Sequence, residues 1–312
     1  MPNTTALPKI IVLLGPTASG KTAWGLQLAK KFHGEIISAD SRQVYRKMDI
    51  GTAKPEGRWQ GTGKEQAYYV DGVRHHLVDF LDPGKIFTAA EWREAAITAI
   101  TSIYERKNTP IIVGGTGLYI STLVDNWNIP RIPPNKTLRA SLEEKSAVEL
   151  TRLLAVLDPA AAEVIDVKNK RRLVRALEVS ILSGVPFSKQ RTKGKSLVNA
   201  LLIGIDIPRA VLHKRIAERV DAMMALGLVS EVTKLLKQKY GWRLPSMSGI
   251  GYQQFKGYTE GSITLAKAVE QLKRDTRHFA RRQLTWFRRD QRIHWCRAYK
   301  EAEQLAKSFL TT

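Results

Sequence analysis

The chain holds a single cysteine, Cys296, among 312 residues. That excludes a disulfide framework and a cysteine-built metal centre, and it suits a reducing compartment. No run approaches the roughly 20 apolar residues needed to cross a bilayer, and Met1 to Pro8 is short and polar, unlike the apolar core of a secretion signal. A cytoplasmic protein with no membrane contact is the expectation. No apolar strand ends in Asp-Glu, as a motor ATPase or helicase requires, and no arginine-rich lid has adenylate-kinase spacing. Acidic residues are scarce as well: 29 Asp and Glu stand against 50 Lys and Arg, a formal charge of +21. The excess is +4 over residues 1–120, +6 over 121–200 and +11 over 201–312. A small phosphorylated substrate does not need that charge, whereas a polyanion, most commonly nucleic acid, does.

What is present begins with Gly15, Pro16, Thr17, Ala18, Ser19, Gly20, Lys21 and Thr22. This G-x-x-x-x-G-K-T run lies between the apolar stretch Ile10–Leu14 and a helical pattern over 23–30, which is the strand, turn and helix context of a P-loop. Backbone N–H groups of such a turn curl around an anion, and the helix N-terminus adds partial positive charge. Lys21 supplies a mobile cation for the outer phosphate, and the Thr22 hydroxyl is a candidate Mg²⁺ ligand. A diphosphate or triphosphate is the expected ligand.

Short apolar runs alternate with helical patterns, the mark of an α/β fold with a parallel sheet flanked by helices. Strands are predicted at 9–14, 35–39, 110–114 and 201–207, with weaker signals near 76–80 and 292–295. Thr88-Ala89-Ala90-Glu91 reads as a capping box for a helix running to about Lys107. Between 125 and 198 the strand signal disappears, and Pro130, Pro133 and Pro134 lead into helical patterns near 136–156 and 169–183. The expected organisation is a P-loop core made of 1–124 and 199–312, ending in basic helices, with an inserted all-helical domain at 125–198. Residues 208–240 and 262–290 are again helical in pattern.

Active sites of such folds lie at the carboxyl ends of the parallel strands. Two further strand ends carry polar residues there. One leads into Asp40, Ser41, Arg42 and Gln43, the other into Gly114, Gly115, Thr116 and Gly117. Asp40 suits a general base or a water-mediated metal ligand, and equally the N-cap of a helix over 41–47. The glycine pair with Thr116 could approach a substrate or simply form a tight turn. Arg215 and Arg219, four apart on one helix, could clamp a phosphate or pair with Glu218 and Asp221.

Residues 270–292 hold eight basic residues against three acidic ones. Arg274, Arg277 and Arg281 fall on one stripe, interleaved with Phe279, Trp286 and Phe287, which read more readily as core than as stacking platforms. Such a helix suits a ribose-phosphate backbone. His75-His76 has no third ligand at metal-site spacing and reads as structural.

Taken in order, these motifs resemble the tRNA dimethylallyltransferases, also called isopentenyl-tRNA transferases. The resemblance rests on residues 15–22, Ile37–Tyr45, Met48–Pro55, Val113–Tyr119, Arg171–Glu178, Arg215 with Arg219, Gly249–Gln254 and Arg281–Arg288, spanning roughly 9–295. It implies transfer of a dimethylallyl group from dimethylallyl diphosphate to N6 of adenosine 37 in the anticodon stem-loop of tRNA, with Mg²⁺ as cofactor and a monomer as the acting species. The resemblance implies catalytic roles for Asp40, as the base, and for Lys21, Thr116 and Arg219. Diphosphate binding falls to residues 15–22 with Arg215 and Arg219. It further implies tRNA contacts from Asp40, Ser41, Arg42, Gln43, Thr116, Arg139, Arg171, Arg172, Arg175, Gly251, Tyr252, Gln253, Arg281, Arg282, Gln283, Trp286 and Arg288. Two departures stand out. Residues 57–75 form an insertion read as a loop or an extra hairpin, and 248–253 lacks arginine, so that contacts there would fall to backbone, Tyr252 or Gln253. A P-loop small-molecule kinase and an RNA-binding protein with a vestigial P-loop are the alternatives. The first leaves the basic 270–292 helix unexplained, and the second leaves the intact Lys21, Thr22 and Asp40 unexplained.

Overall fold

A computed structural model describes residues 7–130, 132–190 and 192–312. The chain divides into two compact units, one made of residues up to Val124 together with Leu197–Thr312, the other Asp125–Ser196. The first is built on an eight-stranded sheet in the order β3-β4-β5-β2-β6-β1-β7-β8. Its strands are β1 (Lys9–Leu14), β2 (Gly34–Ala39), β3 (Arg58–Gln60), β4 (Ala67–Val70), β5 (Val73–His76), β6 (Thr109–Gly114), β7 (Asn199–Ile205) and β8 (His294–Cys296). From β5 to β8 every neighbouring pair is parallel.

Five consecutive buried residues close each of β1, β2 and β6, as expected where helices cover both faces of a parallel sheet. Along β1 the side chains alternate. Ile10, Val12 and Leu14 pack with Trp92, Ala96 and Ile100 of α2 (Ala89–Glu105) and with Ile120 and Leu123 of α3 (Gly117–Val124). Ile11 and Leu13 pack with Leu28 and Ala29 of α1 (Lys21–Lys31) and, at the far end of the chain, with Ala302 and Ala306. The Thr88 hydroxyl accepts from Glu91 N while Thr88 N donates to Glu91 Oε2, so the predicted capping box does open α2.

In Asp125–Ser196, α4 (Lys136–Glu144), α5 (Ala147–Leu157), α6 (Pro159–Val164), α7 (Lys170–Ser183) and α8 (Phe187–Gln190) enclose their own core around Leu142, Leu150, Leu154, Leu173 and Leu177. Back in the sheet-bearing unit, α9 (Arg209–Ala225), α10 (Leu228–Lys237), α11 (Lys256–Thr259) and α12 (Leu265–Phe287) form a helical lobe. Its core of Val220, Leu235, Tyr252, Phe255 and Leu272 takes in Val44, Tyr45 and Met48. The chain closes with α13 (Tyr299–Thr311).

The structure corrects several expectations. The helical pattern over 136–156 is two helices, because Ser146 caps a new one with Glu149. The pattern over 208–240 is also two, divided at Gly227, which adopts φ 93°. The strand signal near 76–80 belongs to β5, which ends at His76. The insertion at 57–75 supplies β3 and the antiparallel β4–β5 hairpin, turned by Asp71-Gly72 at φ 48° and 79°, the left-handed pair that such a tight turn needs. No helix follows Asp40: residues 41–44 are turn, and the Asp40 carboxylate accepts from Arg42 N at 2.9 Å instead.

Candidate active site

Sheet register places the chemistry. Leu14 pairs with Gly114 and with Gly204, and Gly114 pairs with Ala39, so β1, β2 and β6 end at one level. The residues that follow, Gly15, Asp40 and Gly115, therefore start side by side. β6 lies between β1 and β2, which makes this the point where the chain reverses its winding direction and opens a crevice.

The P-loop turn is tied by Ser19 N to Pro16 O at 3.2 Å, and Gly20 at φ 96° supplies the left-handed residue that lets α1 start. No acidic side chain lies in the first turn of α1, so its N-terminal field is uncancelled. Ser19 Oγ is buried without a hydrogen-bond partner, a polar atom suited to an anion in the cradle. Lys21 Nζ donates to Pro16 O at 3.1 Å. Burial pushes the Lys21 ammonium down to about 8, against the pull of Asp40 and with a push from Arg219.

Both clamp candidates on α9 face the loop. Arg215 Nη1 lies 3.4 Å from Ser19 O and Arg219 Nη1 lies 3.3 Å from Thr17 Oγ1. The acids that the sequence offered as partners for them are engaged elsewhere: Glu218 with Lys214 at 3.9 Å, Asp221 with Lys273 at 2.6 Å. Burial lowers the Arg219 guanidinium from its usual value, and the Asp40 charge offsets part of that. Lys21, Asp40 and Arg219 thus share one electrostatic environment. Across the crevice, Thr116 Oγ1 accepts from Ser41 N at 3.0 Å and Thr116 N donates to Ala39 O at 3.0 Å, bracketing Asp40 on both sides. Gln43 Nε2 donates to Thr52 O and Ala53 O, and Arg42 donates to Pro245 O.

A match to the IPP transferase family covers residues 43–290. The chain belongs to that family. Among known IPP transferases it is 47% identical over 284 residues to the tRNA dimethylallyltransferase of Roseiflexus sp. strain RS-1, covering 90% of each chain. It is 43% identical over 313 residues to that of Carboxydothermus hydrogenoformans, covering 97% of this chain and 96% of the relative. The crystal structure of the full-length tRNA isopentenylpyrophosphate transferase from Bacillus halodurans superposes with a TM-score of 0.69 at 38% identity, over 97% of this chain and 95% of that one. A eukaryotic dimethylallyltransferase acting on tRNA superposes at 0.71 with 26% identity, over 90% and 70%.

Within this IPP transferase the remaining site candidates divide. Arg281, Arg282 and Arg288 are exposed on and just beyond α12, as are Arg171 and Arg172 at the start of α7. Arg139 and Arg175 are instead bound to the buried carboxylate of Glu178, at 2.8 and 2.6 Å. Burial alone would raise the Glu178 carboxyl, but hydrogen bonds from Arg139, Arg175 and Asn135 N hold it below its usual range. Tyr252 is a core residue, wholly buried with its hydroxyl donated to Glu231 at 2.8 Å, so it offers no surface to RNA. Gly251 is buried against the Gly51 backbone, while Gln253 is exposed. Gln283 is also interior: its Oε1 accepts from Thr17 N at 2.8 Å and its Nε2 donates to Gly115 O at 2.9 Å. Trp286 is half-buried, and a β-carbon on Gly117 would strike its ring. His75 is buried with Nδ1 on Val73 O, and His76 Nε2 meets Glu35 at 2.7 Å.

Sequence reasoning missed Glu231, and it named Gln283 only as a tRNA contact, without its internal partners. Glu231 receives the backbone N–H groups of Asp49, Ile50 and Gly51, fixing the loop after Gln43, and no local signal announces it. Gln283 falls in helical register with the buried Thr276, Ala280 and Phe287, a pattern that marks it as an amide in need of internal partners. Among the described residues no group of three or more His, Cys, Asp or Glu could hold a metal. The exposed hydroxyl of Thr22 at the start of α1 suits Mg²⁺, which commonly takes few protein ligands and completes its shell with phosphate and water.

Proposed function

We propose that this enzyme transfers a dimethylallyl group from dimethylallyl diphosphate to N6 of adenosine 37 in the tRNA anticodon loop. The observation that carries the reading is the P-loop after β1 and Asp40 after β2, at strand ends of one level, with Arg219 of α9 reaching the loop at Thr17, within a chain of the IPP transferase family. The adenine amine is a weak nucleophile. As the new N6–C1 bond forms, Asp40 accepts the N6 proton. The C1–O bond breaks and its electron pair leaves with diphosphate. P-loop N–H groups, Lys21 and Arg219, with Arg215 behind Ser19, receive the charge that develops there. Thr22 would hold a Mg²⁺ ion, whose chemistry when bound would be charge neutralisation at the leaving group. Thr116 keeps the Asp40 turn in place. Arg281, Arg282 and Arg288, and on the helical unit Arg171 and Arg172, are suited to the RNA backbone. Action as a monomer in the cytoplasm is part of the same reading.

The test is transfer of labelled dimethylallyl from its diphosphate to an anticodon stem-loop carrying A37, beside a matched G37 loop and a parallel reaction with ATP. Label in the A37 loop alone is expected. Phosphate transfer from ATP to a small acceptor, with no labelled RNA, would make the protein a kinase. Asp40→Ala should reduce turnover by about 10²–10⁴-fold while both substrates still bind; near wild-type turnover removes Asp40 from the proton-transfer step.

A further inference from the structure

The two faces of α12 carry different chemistry. Arg274, Arg281 and Arg282 are exposed on the outer face, and Ala268, Leu272, Thr276, Ala280, Gln283 and Phe287 are buried on the inner one. Two of those buried residues are polar. Thr276 spends its hydroxyl on its own helix, donating to Leu272 O at 2.7 Å. Gln283 reaches two other segments at once, accepting from Thr17 N and donating to Gly115 O. A side-chain amide is a residue type that can accept from one backbone N–H and donate to another backbone C=O at neutral pH. The fit is close, since a β-carbon on Gly115 would lie 2.2 Å from Gln283 Nε2.

Those two bonds close a continuous path across the crevice. Arg219 meets Thr17 Oγ1, Thr17 N meets Gln283, and Gln283 meets Gly115 O. The next residue, Thr116, binds Ala39 O and Ser41 N on either side of Asp40. Gln283 is therefore the strut between the phosphate cradle and the strand end that holds Asp40, and it stands on the helix whose other face carries the arginines.

We propose that Gln283 is a positioning residue, setting the separation between the P-loop and the Thr116–Asp40 side of the site, and not an RNA contact. The proposal rests on the transferase reading above. Reacting groups misplaced by about 1 Å lose on the order of 100-fold in rate. Gln283→Met keeps the volume and removes both hydrogen bonds. Gln283→Glu keeps the acceptor but, when ionised, sets a carboxylate against the Gly115 carbonyl; when protonated it restores the donor.

The experiment compares wild type, Gln283→Met and Gln283→Glu for kcat at saturating stem-loop, Kd for stem-loop, Kd for inorganic diphosphate, and melting temperature. The expected result for Gln283→Met is kcat down about 30-fold, diphosphate Kd up about 5-fold and stem-loop Kd within about 2-fold of wild type. Gln283→Glu should recover kcat relative to wild type as pH falls and its carboxyl gains a proton. A weakened stem-loop Kd with kcat intact at saturation would make Gln283 an RNA contact and overturn the proposal. A lowered melting temperature with kcat and diphosphate Kd unchanged would make it a packing residue and overturn it equally. If Gln283→Glu does not fold, Gln283→Met decides; if neither folds, the positioning role gives way to a structural one. Wild type that transfers no label removes the transferase reading, and the diphosphate Kd of the variants then decides the strut by itself.

Discussion

The arginines of α9 and those of the helical unit sit in opposite electrostatic surroundings. Arg215 and Arg219 have acidic neighbours one helical turn or less away, yet Lys214 and Lys273 occupy those acids, and both guanidinium groups extend to the P-loop. Arg139 and Arg175 have one buried acid, Glu178, and it takes both of them. An arginine on a helix is available to a ligand when other cations have claimed its acidic neighbours. A wholly buried carboxylate cannot be left unpaired, so it claims the nearest guanidinium groups first. By this criterion the α9 pair is free to serve an anion and the Glu178 pair holds its unit together.

The sharpest way to break that contrast is Arg219→Ala. Removing a cation aimed at the leaving group should lower kcat by about 10²–10³-fold, read in single-turnover transfer with little change in melting temperature. A small rate effect would return Arg219 to the structural class. Glu178→Ala should act on the other side of the comparison, costing about 3 kcal/mol in the stability of the helical unit, followed by denaturant melting or hydrogen exchange. Unaltered stability would mean that Arg139 and Arg175 do not depend on it.

Arg281→Ala with Arg282→Ala should weaken stem-loop binding by about 10-fold and flatten its salt slope by about 1.5, leaving diphosphate affinity unchanged. The same pair of changes with no effect on the salt slope would detach the outer face of α12 from RNA. The smallest expected effect is the pH dependence. With the Lys21 ammonium pushed down to about 8 in the free enzyme, kcat/KM for the diphosphate substrate should fall as pH rises through that value. Lys21→Arg should move the limb upward. The same shift means that Lys21 lowers fold stability below pH 8, and that this cost relaxes between about 8 and the ordinary 10.5, where the unfolded chain still holds the proton. An activity limb unmoved in Lys21→Arg assigns it to another group.

Much of the site was legible because its signals are local. The G-x-x-x-x-G-K-T run needs only its flanking strand and helix, and the three strand ends follow from apolar runs that stop at polar residues. Other features depend on long-range pairing. Asp40 reads equally as a helix cap until the turn to Arg42 N is seen, and Arg215 with Arg219 cannot be assigned until Lys273, from a distant helix, is found on Asp221. Tyr252 lies in a motif that resembles an RNA-contacting stretch, yet it packs inward because Glu231 receives its hydroxyl. The internal pairing of Gln283, named from sequence as an RNA contact, was hidden for the same reason: its partners are 266 and 168 residues away.

The sheet's two rims have a consequence for the protein's life in a crowded solution. β3 and β8, the outermost strands, are three residues each. Arginines 58, 292 and 297 stand at or beside them, all exposed. Six inner strands have both flanks hydrogen-bonded, so the backbone groups left for another chain to extend are few and lie beside positive charge. A sheet this wide would ordinarily invite stacking end to end into aggregates; short, charged borders are the usual safeguard against it.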